Sequence, residues 1–304
     1  MYRQAKTIQI FLPSGDPAGV QVAELTTGVV QLIEVPRLLM QEFLSMRQAQ
    51  QVGVYFLIGE DTQTGRPAVY IGQSGSVGRR LDEHHQANKF DWTRALIAVS
   101  LKESFTGTHV LHLEWQCIQQ ANEAQRYTVL NGNAGTKPHT PAPLEADCID
   151  YFQNIRMLLS TLGQRFLVNL AVHDALPVAT PGDAAEDAPM EFRCGTKDGV
   201  TATGQYTAEG MVVLKGSRAR ADVAPSFEGM SAHKRRAQLI ADGSLKLEGS
   251  TLAFTKDVEF GSPSGAADVV LGRASNGWVE WKDAHGVTLD ALVRNPTDTI
   301  QHGN

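Results

Sequence analysis

The feature that most restricts this fold is the stretch Leu176 to Pro189, where three prolines sit among alanine and acidic residues. Such a run offers no apolar periodicity to bury and fixes too many φ angles for a helix or a central strand, so it reads as a linker. It divides a chain of 304 residues, longer than the roughly 100–200 of a usual single domain, into parts that must each close a core.

Ahead of the linker, residues 7–35 alternate short apolar stretches with turn chemistry such as Pro13-Ser14-Gly15-Asp16-Pro17, a strand-and-turn pattern. Pro36 opens a short helical stripe through Met40, Phe43 and Leu44. Val52 to Ile58 and Ala68 to Ile71 are β-rich runs joined by the turn-forming Thr64-Gly65-Arg66-Pro67, which predicts adjacent antiparallel strands. A helix is expected over 76–86, a third strand over 95–101 and a longer helix over 108–127, with Val110, Leu113, Cys117, Ile118 and Ala121 on its apolar stripe. After a Pro/Thr-rich loop, Asp147 to Leu162 forms an amphipathic helix ending at Gly163. Beyond the linker, strands such as Gly210 to Leu214 alternate with two helices, one beginning near Ser231 and one where Ser262 caps and Pro263 takes the first helical position.

Composition excludes several classes. No run approaches the ~20 apolar residues of a membrane span, and Ile8 to Leu12 is too brief for a signal-peptide core; no membrane partner and a cytoplasmic location are expected. Cys117, Cys148 and Cys194 are odd in number and widely spaced, which fits neither a disulfide framework nor a zinc site. A net charge of −6 argues against indiscriminate coating of nucleic acid, which depends on lysine and arginine contacts to phosphates. A brief encounter with DNA needs only a local basic patch.

Gly53-Val54-Tyr55 and Tyr70-Ile71-Gly72 resemble the paired tripeptides of the GIY-YIG nuclease superfamily. The polar residues behind them extend the match: Arg80, His84, Glu114 and Asn131 stand where that family keeps its arginine, its histidine or tyrosine, its metal-binding glutamate and its asparagine. The resemblance covers roughly residues 51–132. It implies an α+β fold with a small antiparallel three-stranded sheet flanked by helices, preceded by an N-terminal strand unit and followed by a separate mixed α/β domain. The expected boundaries are 1–46 for the strand unit, 47–135 for the nuclease domain, 136–175 for a connecting helical segment, 176–189 for the linker and 190–295 for the C-terminal domain.

The residue pattern supports the resemblance on its own terms. Arg80 and His84 are four apart, so one face of the expected helix presents both, while Val77, Leu81 and His85 form a neighbouring stripe. Glu114 shares a stripe with Val110, Cys117, Ile118 and Ala121, where a carboxylate is costly to bury without a cationic partner. Phosphodiester hydrolysis asks for a metal, a cation on the nonbridging oxygens and a group that activates water. Magnesium uses one or two carboxylates and keeps waters, so a single Glu114 suffices for Mg2+ or Mn2+. By resemblance, Tyr70 activates or orients water, Tyr55 supports it, Arg80 and His84 engage phosphate and Asn131 braces the site. A tyrosine in water, with a pKa of about 10, is only ~0.1% ionised at neutral pH, so a base role requires nearby positive charge. Many family members place lysine after the second tripeptide; this chain has Gln73, one cation fewer beside the proposed base.

The flanks also look familiar. Leu214-Lys215-Gly216-Ser217, Phe260-Gly261-Ser262-Pro263-Ser264-Gly265-Ala266-Ala267, Leu271-Gly272-Arg273 and Asn276-Gly277-Trp278 resemble a domain of unknown function, the DUF4357 type. In that domain Lys215, Arg218, Arg220, Lys234, Arg235 and Arg236 form a candidate DNA-holding patch, with a solvated helix face as the plainer reading of 233–236. Trp278 and Trp281 read as core residues, with base stacking as the alternative.

Other chemistry fares less well. His109 and His112 are three apart and lack cysteine partners for zinc. Gly72 to Gly78 lacks the lysine and hydroxyl residue that end a phosphate loop, and no nucleophile elbow is present. The expectation is therefore a divalent-metal-dependent endonuclease acting on DNA. The rival is a noncatalytic DNA-binding or regulatory protein on the same scaffold. A third reading has the C-terminal domain bind a protein or small ligand and restrain the nuclease.

Overall fold

The computed structural model describes residues 5–61, 65–87, 90–132, 135–170, 190–196 and 199–294; the linker expected over 176–189 lies outside them. The protein is α+β and divides into two compact units, Met1–Asn169 and Leu170–Asn304.

The first unit runs β1 (Ile8–Phe11), β2 (Gln21–Leu25), β3 (Val30–Pro36), a 3-10 turn (Arg37–Leu39), α1 (Met40–Leu44) and a second 3-10 turn (Arg47–Gln50). It continues with β4 (Gly53–Glu60), β5 (Pro67–Ser74), α2 (Val77–Ala87), β6 (Trp92–Ser100), α3 (Gly107–Ala124), β7 (Thr128–Val129) and α4 (Ala142–Thr161). The strands form one seven-stranded sheet in the order β1-β2-β3-β6-β4-β5-β7. Every pair is antiparallel except β5 with β7.

The three strands expected from the sequence are present as β6-β4-β5, but the sheet does not end there. β3 pairs with β6 from Val30↔Ser100 to Pro36↔Arg94, so the N-terminal strands belong to the same sheet. The physical reason lies in β6, buried continuously from Ala95 to Ser100. A strand apolar on both faces leaves unsatisfied backbone groups if its second edge is bare, and β3 takes that edge.

Both faces of the sheet are covered. Val54, Phe56 and Ile58 of β4 pack with α3 and α4, while Tyr55 and Leu57 pack on the opposite side with Val77 and Leu81 of α2 and with Phe43 of α1. Burial on both faces explains why β4 reads as an unbroken apolar run. The start of α3 is fixed by a capping box in which Thr106 Oγ1 accepts the His109 amide and His109 Nδ1 accepts the Thr106 amide. Such a cap contributes on the order of 1 kcal/mol and sets the helix phase that aims Glu114.

The second unit contains β8 (Glu191–Gly195), β9 (Thr201–Thr207), β10 (Gly210–Val213), β11 (Arg218–Arg220), a 3-10 turn (Pro225–Phe227), α5 (Ser231–Ala241), β12 (Leu245–Glu248), β13 (Thr251–Phe254) and β14 (Val258–Phe260). Three helices follow: α6 (Pro263–Leu271), α7 (Gly277–Glu280) and α8 (Leu289–Val293). Two sheets, β14-β10-β9-β8 and β11-β13-β12, share a core with α6, where Ala266, Ala267, Val269 and Val270 are fully buried. As expected, Ser262 accepts the Gly265 amide at 3.1 Å and Pro263 opens the helix. Gly272 ends it in the left-handed region. Among the described residues no helix is long and apolar enough to cross a membrane.

Candidate functional site

The expected site residues gather around the outer edge of β5. β4 and β5 pair with Tyr55 opposite Gly72, and the glycine has a steric purpose there. A Cβ at Gly72 would lie 2.3 Å from the Tyr55 hydroxyl oxygen and 2.4 Å from Cζ, so only glycine lets the phenol lie across the neighbouring strand. Tyr55 is 1% exposed. Its ring centroid is 6.3 Å from that of Tyr70 and 5.5 Å from that of His84, while Tyr70 and His84 are 5.3 Å apart.

The helix α2 supplies the next two groups. Its buried Val77 and Leu81 dock on the sheet and leave Arg80 and His84, one turn apart, beside the phenols. The Tyr55 hydroxyl and His84 Nε2 are 2.9 Å apart, and a hydrogen bond also joins the Arg80 guanidinium to the Tyr55 phenol. Burial pushes the Tyr55 phenol well above the ordinary tyrosine value, so at neutral pH it is an uncharged hydrogen-bonding group. Arg80 also donates from Nη1 to Glu83 Oε2 at 2.8 Å; this bond and the one to Tyr55 raise its pKa further.

From the other face comes Glu114 of α3, half-buried. Burial raises its carboxyl above the usual range, opposed by a hydrogen bond from the Gln73 backbone N–H and by the charge of Arg80. Asn131 meets the same strand two residues earlier. Its Nδ2 donates to the Ile71 carbonyl at 2.7 Å and its Oδ1 accepts the Ile71 amide at 3.0 Å. The edge of β5 is thus occupied in turn by β7 at Ala68 and Val69, by the Asn131 side chain at Ile71 and by Glu114 at Gln73. Asn131 bonds the strand backbone rather than the phenols, which makes it a positioning residue.

A cleft of about 530 Å³ opens beside these groups, lined by Tyr70, Arg80 and His84 together with Leu57, Trp92 and Leu130. Tyr55, Glu114 and Asn131 do not line it. Phe90, Asp91, Glu60 and Asp61 also border the cleft; none was singled out from the sequence. A signal for them existed in Gly59, since an isolated glycine within a strand marks a bulge or a close approach.

The chemistry of the donors fits a single-carboxylate divalent cation. Glu114 is a half-buried carboxylate that accepts a hydrogen bond from the Gln73 backbone and feels the charge of Arg80, and magnesium needs no more than one or two carboxylates. Among the described residues no group of three or more His, Cys, Asp or Glu has metal-holding geometry. His109 is taken up in the helix cap, and His112 Nδ1 lies 2.9 Å from Thr140 Oγ1, buried, so the two do not converge as zinc ligands.

The second unit carries the basic residues of 215–236. Residues 192–293 match the family described as Domain of unknown function (DUF4357). No curated protein and no solved structure matches the chain. In the DUF4357 domain Lys215, Arg220, Lys234 and Arg235 are exposed, and Arg218 is half-buried with Nη2 on Glu248 at 3.1 Å. Arg236 corrects the expected patch: it is 3% exposed and donates to the Val269 carbonyl at 2.6 Å, to Ala221 at 3.0 Å and to Arg220. A buried guanidinium bonded to three backbone carbonyls holds the domain together and is not available to phosphate. Trp281 of the DUF4357 domain is fully buried with its indole N–H on the Pro263 carbonyl at 3.0 Å, a core residue as expected. Trp278 is half-buried with the Arg294 guanidinium 3.5 Å above its ring.

Proposed function

We propose that this protein is a divalent-metal-dependent endonuclease that hydrolyses DNA phosphodiester bonds with GIY-YIG chemistry. What supports the reading is convergence: two tyrosines from adjacent strands, Arg80 and His84 from one helical turn and Glu114 from a helix on the other face meet at the edge of β5.

In this reading Tyr70, which borders the cleft, orients the attacking water. The buried neutral phenol of Tyr55 ties His84 and Arg80 into one network. Arg80 exchanges its contact with Glu83 for a nonbridging phosphate oxygen, where its charge is preorganised for the developing oxyanion. Asn131 holds the register of the Tyr70-bearing strand. Magnesium or manganese held by Glu114 would neutralise phosphate charge and lower the pKa of bound water.

The test is a cleavage screen of the full chain over duplex, branched and single-stranded DNA with Mg2+ or Mn2+. Glu114→Ala is expected to lose at least about a hundredfold in rate, the scale of removing a main electrostatic stabiliser, with an unchanged circular dichroism spectrum. Cleavage that persists undiminished in Glu114→Ala contradicts the assignment. The noncatalytic reading is favoured by two observations, Gln73 in place of the family lysine and the Glu83 contact on Arg80. Salt-sensitive DNA binding with no cutting, across metals and substrates, would establish it.

A further inference from the structure

The cleft beside Tyr70 is lined by two unlike sets of polar groups. Arg80 and His84 are the cationic and hydrogen-bonding groups assigned to phosphate. Glu60, Asp61 and Asp91 are carboxylates, and a second phosphate brought against them would meet like charge. The rings of Tyr70, Phe90 and Trp92 belong to the same lining.

That aromatic wall is built by two departures from regular strand geometry. The β4–β6 register shifts at Ile58/Gly59, bringing Gly59 opposite Trp92. Trp92 thereby shares a face with Ala95, Ile97 and Val99, although strict alternation would place it on the other. At Gly59 a Cβ would lie 2.4 Å from the Asp91 carbonyl oxygen and 2.8 Å from Phe90 Cζ, so the missing side chain lets 90–92 lie down across the end of β4. Arg37 fixes the wall from behind, with its guanidinium 4.9 Å from the centre of the Trp92 ring and Nη1 bonded to the Trp92 carbonyl and to Asp91 Oδ1, each at 3.2 Å. Trp92 is 1% exposed and its buried indole N–H has no hydrogen-bond partner.

We infer that this cleft takes one unpaired nucleobase bearing an exocyclic amine, adjacent to the phosphate that Arg80 engages. The partly exposed rings of Tyr70 and Phe90, with the buried Trp92 supporting them, supply a stacking face for a base, the carboxylates accept from an amine and repel a carbonyl at the same position, and the volume of about 530 Å³ falls within the ~300–1,000 Å³ of small-ligand sites. The adjacency to a scissile phosphate rests on the nuclease reading; the base site does not.

Two measurements separate the claims. Tryptophan fluorescence of the full chain in EDTA is titrated with deoxycytidine monophosphate, thymidine monophosphate and deoxyribose 5-phosphate. In parallel, Mg2+-dependent nicking is timed on duplexes with one extrahelical cytosine, one extrahelical thymine or full pairing. The cytosine nucleotide is expected to bind at least about fivefold more tightly than the thymine nucleotide, and the sugar phosphate more weakly still. Phe90→Ala should weaken base binding about tenfold, the scale of losing one stacked base, and the exposed Glu60→Gln should erase the preference for cytosine. Equal binding of all three ligands, or selectivity unchanged in both variants, overturns the proposal even if DNA is cut. Base-selective binding with no nicking of any substrate upholds the cleft and sinks the nuclease reading.

Discussion

A half-buried carboxylate resists ionisation, and burial pushes the Glu114 carboxyl upward despite the hydrogen bond from the Gln73 amide and the charge of Arg80. In the unfolded chain the group has its ordinary value. Between the two values the folded chain binds more protons, so stability falls as pH rises through that window, and above the folded value the whole cost of the half-buried charge is carried. Glu114→Gln keeps an oxygen for the Gln73 amide and removes the charge. The variant is therefore expected to have a higher Tm than the parent at pH 7 in EDTA and an equal one at acid pH below the ordinary carboxylate range. Millimolar Mg2+ should raise the Tm of the parent at pH 7 and leave the variant unmoved, because only a ligand of the native state shifts the transition. Scanning calorimetry of both proteins in the three conditions decides it. A variant that gains nothing at pH 7 refutes the cost of the half-buried charge, and one that still responds to Mg2+ removes Glu114 as the metal ligand.

At the scale of elements, α5 shows both what a charged run hides and what a helix can be made to bury. Ala232, Arg236 and Leu239 are the buried positions of α5, a spacing of four and three that places Arg236 on the apolar stripe. Read as part of the run His233-Lys234-Arg235-Arg236, it looked like one more surface cation; read by periodicity, it was already a core position. Arg236→Met keeps most of the volume and strands the carbonyls of Val269, Ala221 and Arg220. The expected cost is roughly 2–4 kcal/mol, the range for leaving buried acceptors unpaired beside a lost charged donor, seen in urea unfolding and as faster amide exchange in α6 and β11. A variant as stable as the parent would show that the three carbonyls are satisfied without the guanidinium. Similar logic marks what the sequence made legible in the first unit. The strands and helices that carry Tyr55, Tyr70, Arg80, His84 and Glu114 followed from local periodicity and turn chemistry. The pairing of β3 with β6 did not, since strand partners are chosen by non-local burial. The Trp92 wall was missed because a bulge changes the parity that strand reading depends on.

For the molecule as a whole, charge decides how DNA would be held under the proposed nuclease reading. A chain with net charge −6 gains little from nonspecific attraction, so binding has to come from named contacts, each releasing counterions and adding about 0.7 to 0.9 to the slope of log K against log salt. The first unit offers Arg80 beside the cleft, and the second offers Lys215, Arg220, Lys234 and Arg235 on its surface. If the second unit holds DNA, changing those four to alanine should flatten the slope by about 0.7 to 0.9 for every contact that was made, while kcat on a saturating substrate stays the same. If it does not, the slope is set by the first unit alone, and only Arg80→Ala alters it. Fluorescence anisotropy of labelled DNA over a salt series reads both variants directly. An unaltered slope in the fourfold variant would assign the surface cations of the second unit to solvation, and would point its function toward a partner other than nucleic acid.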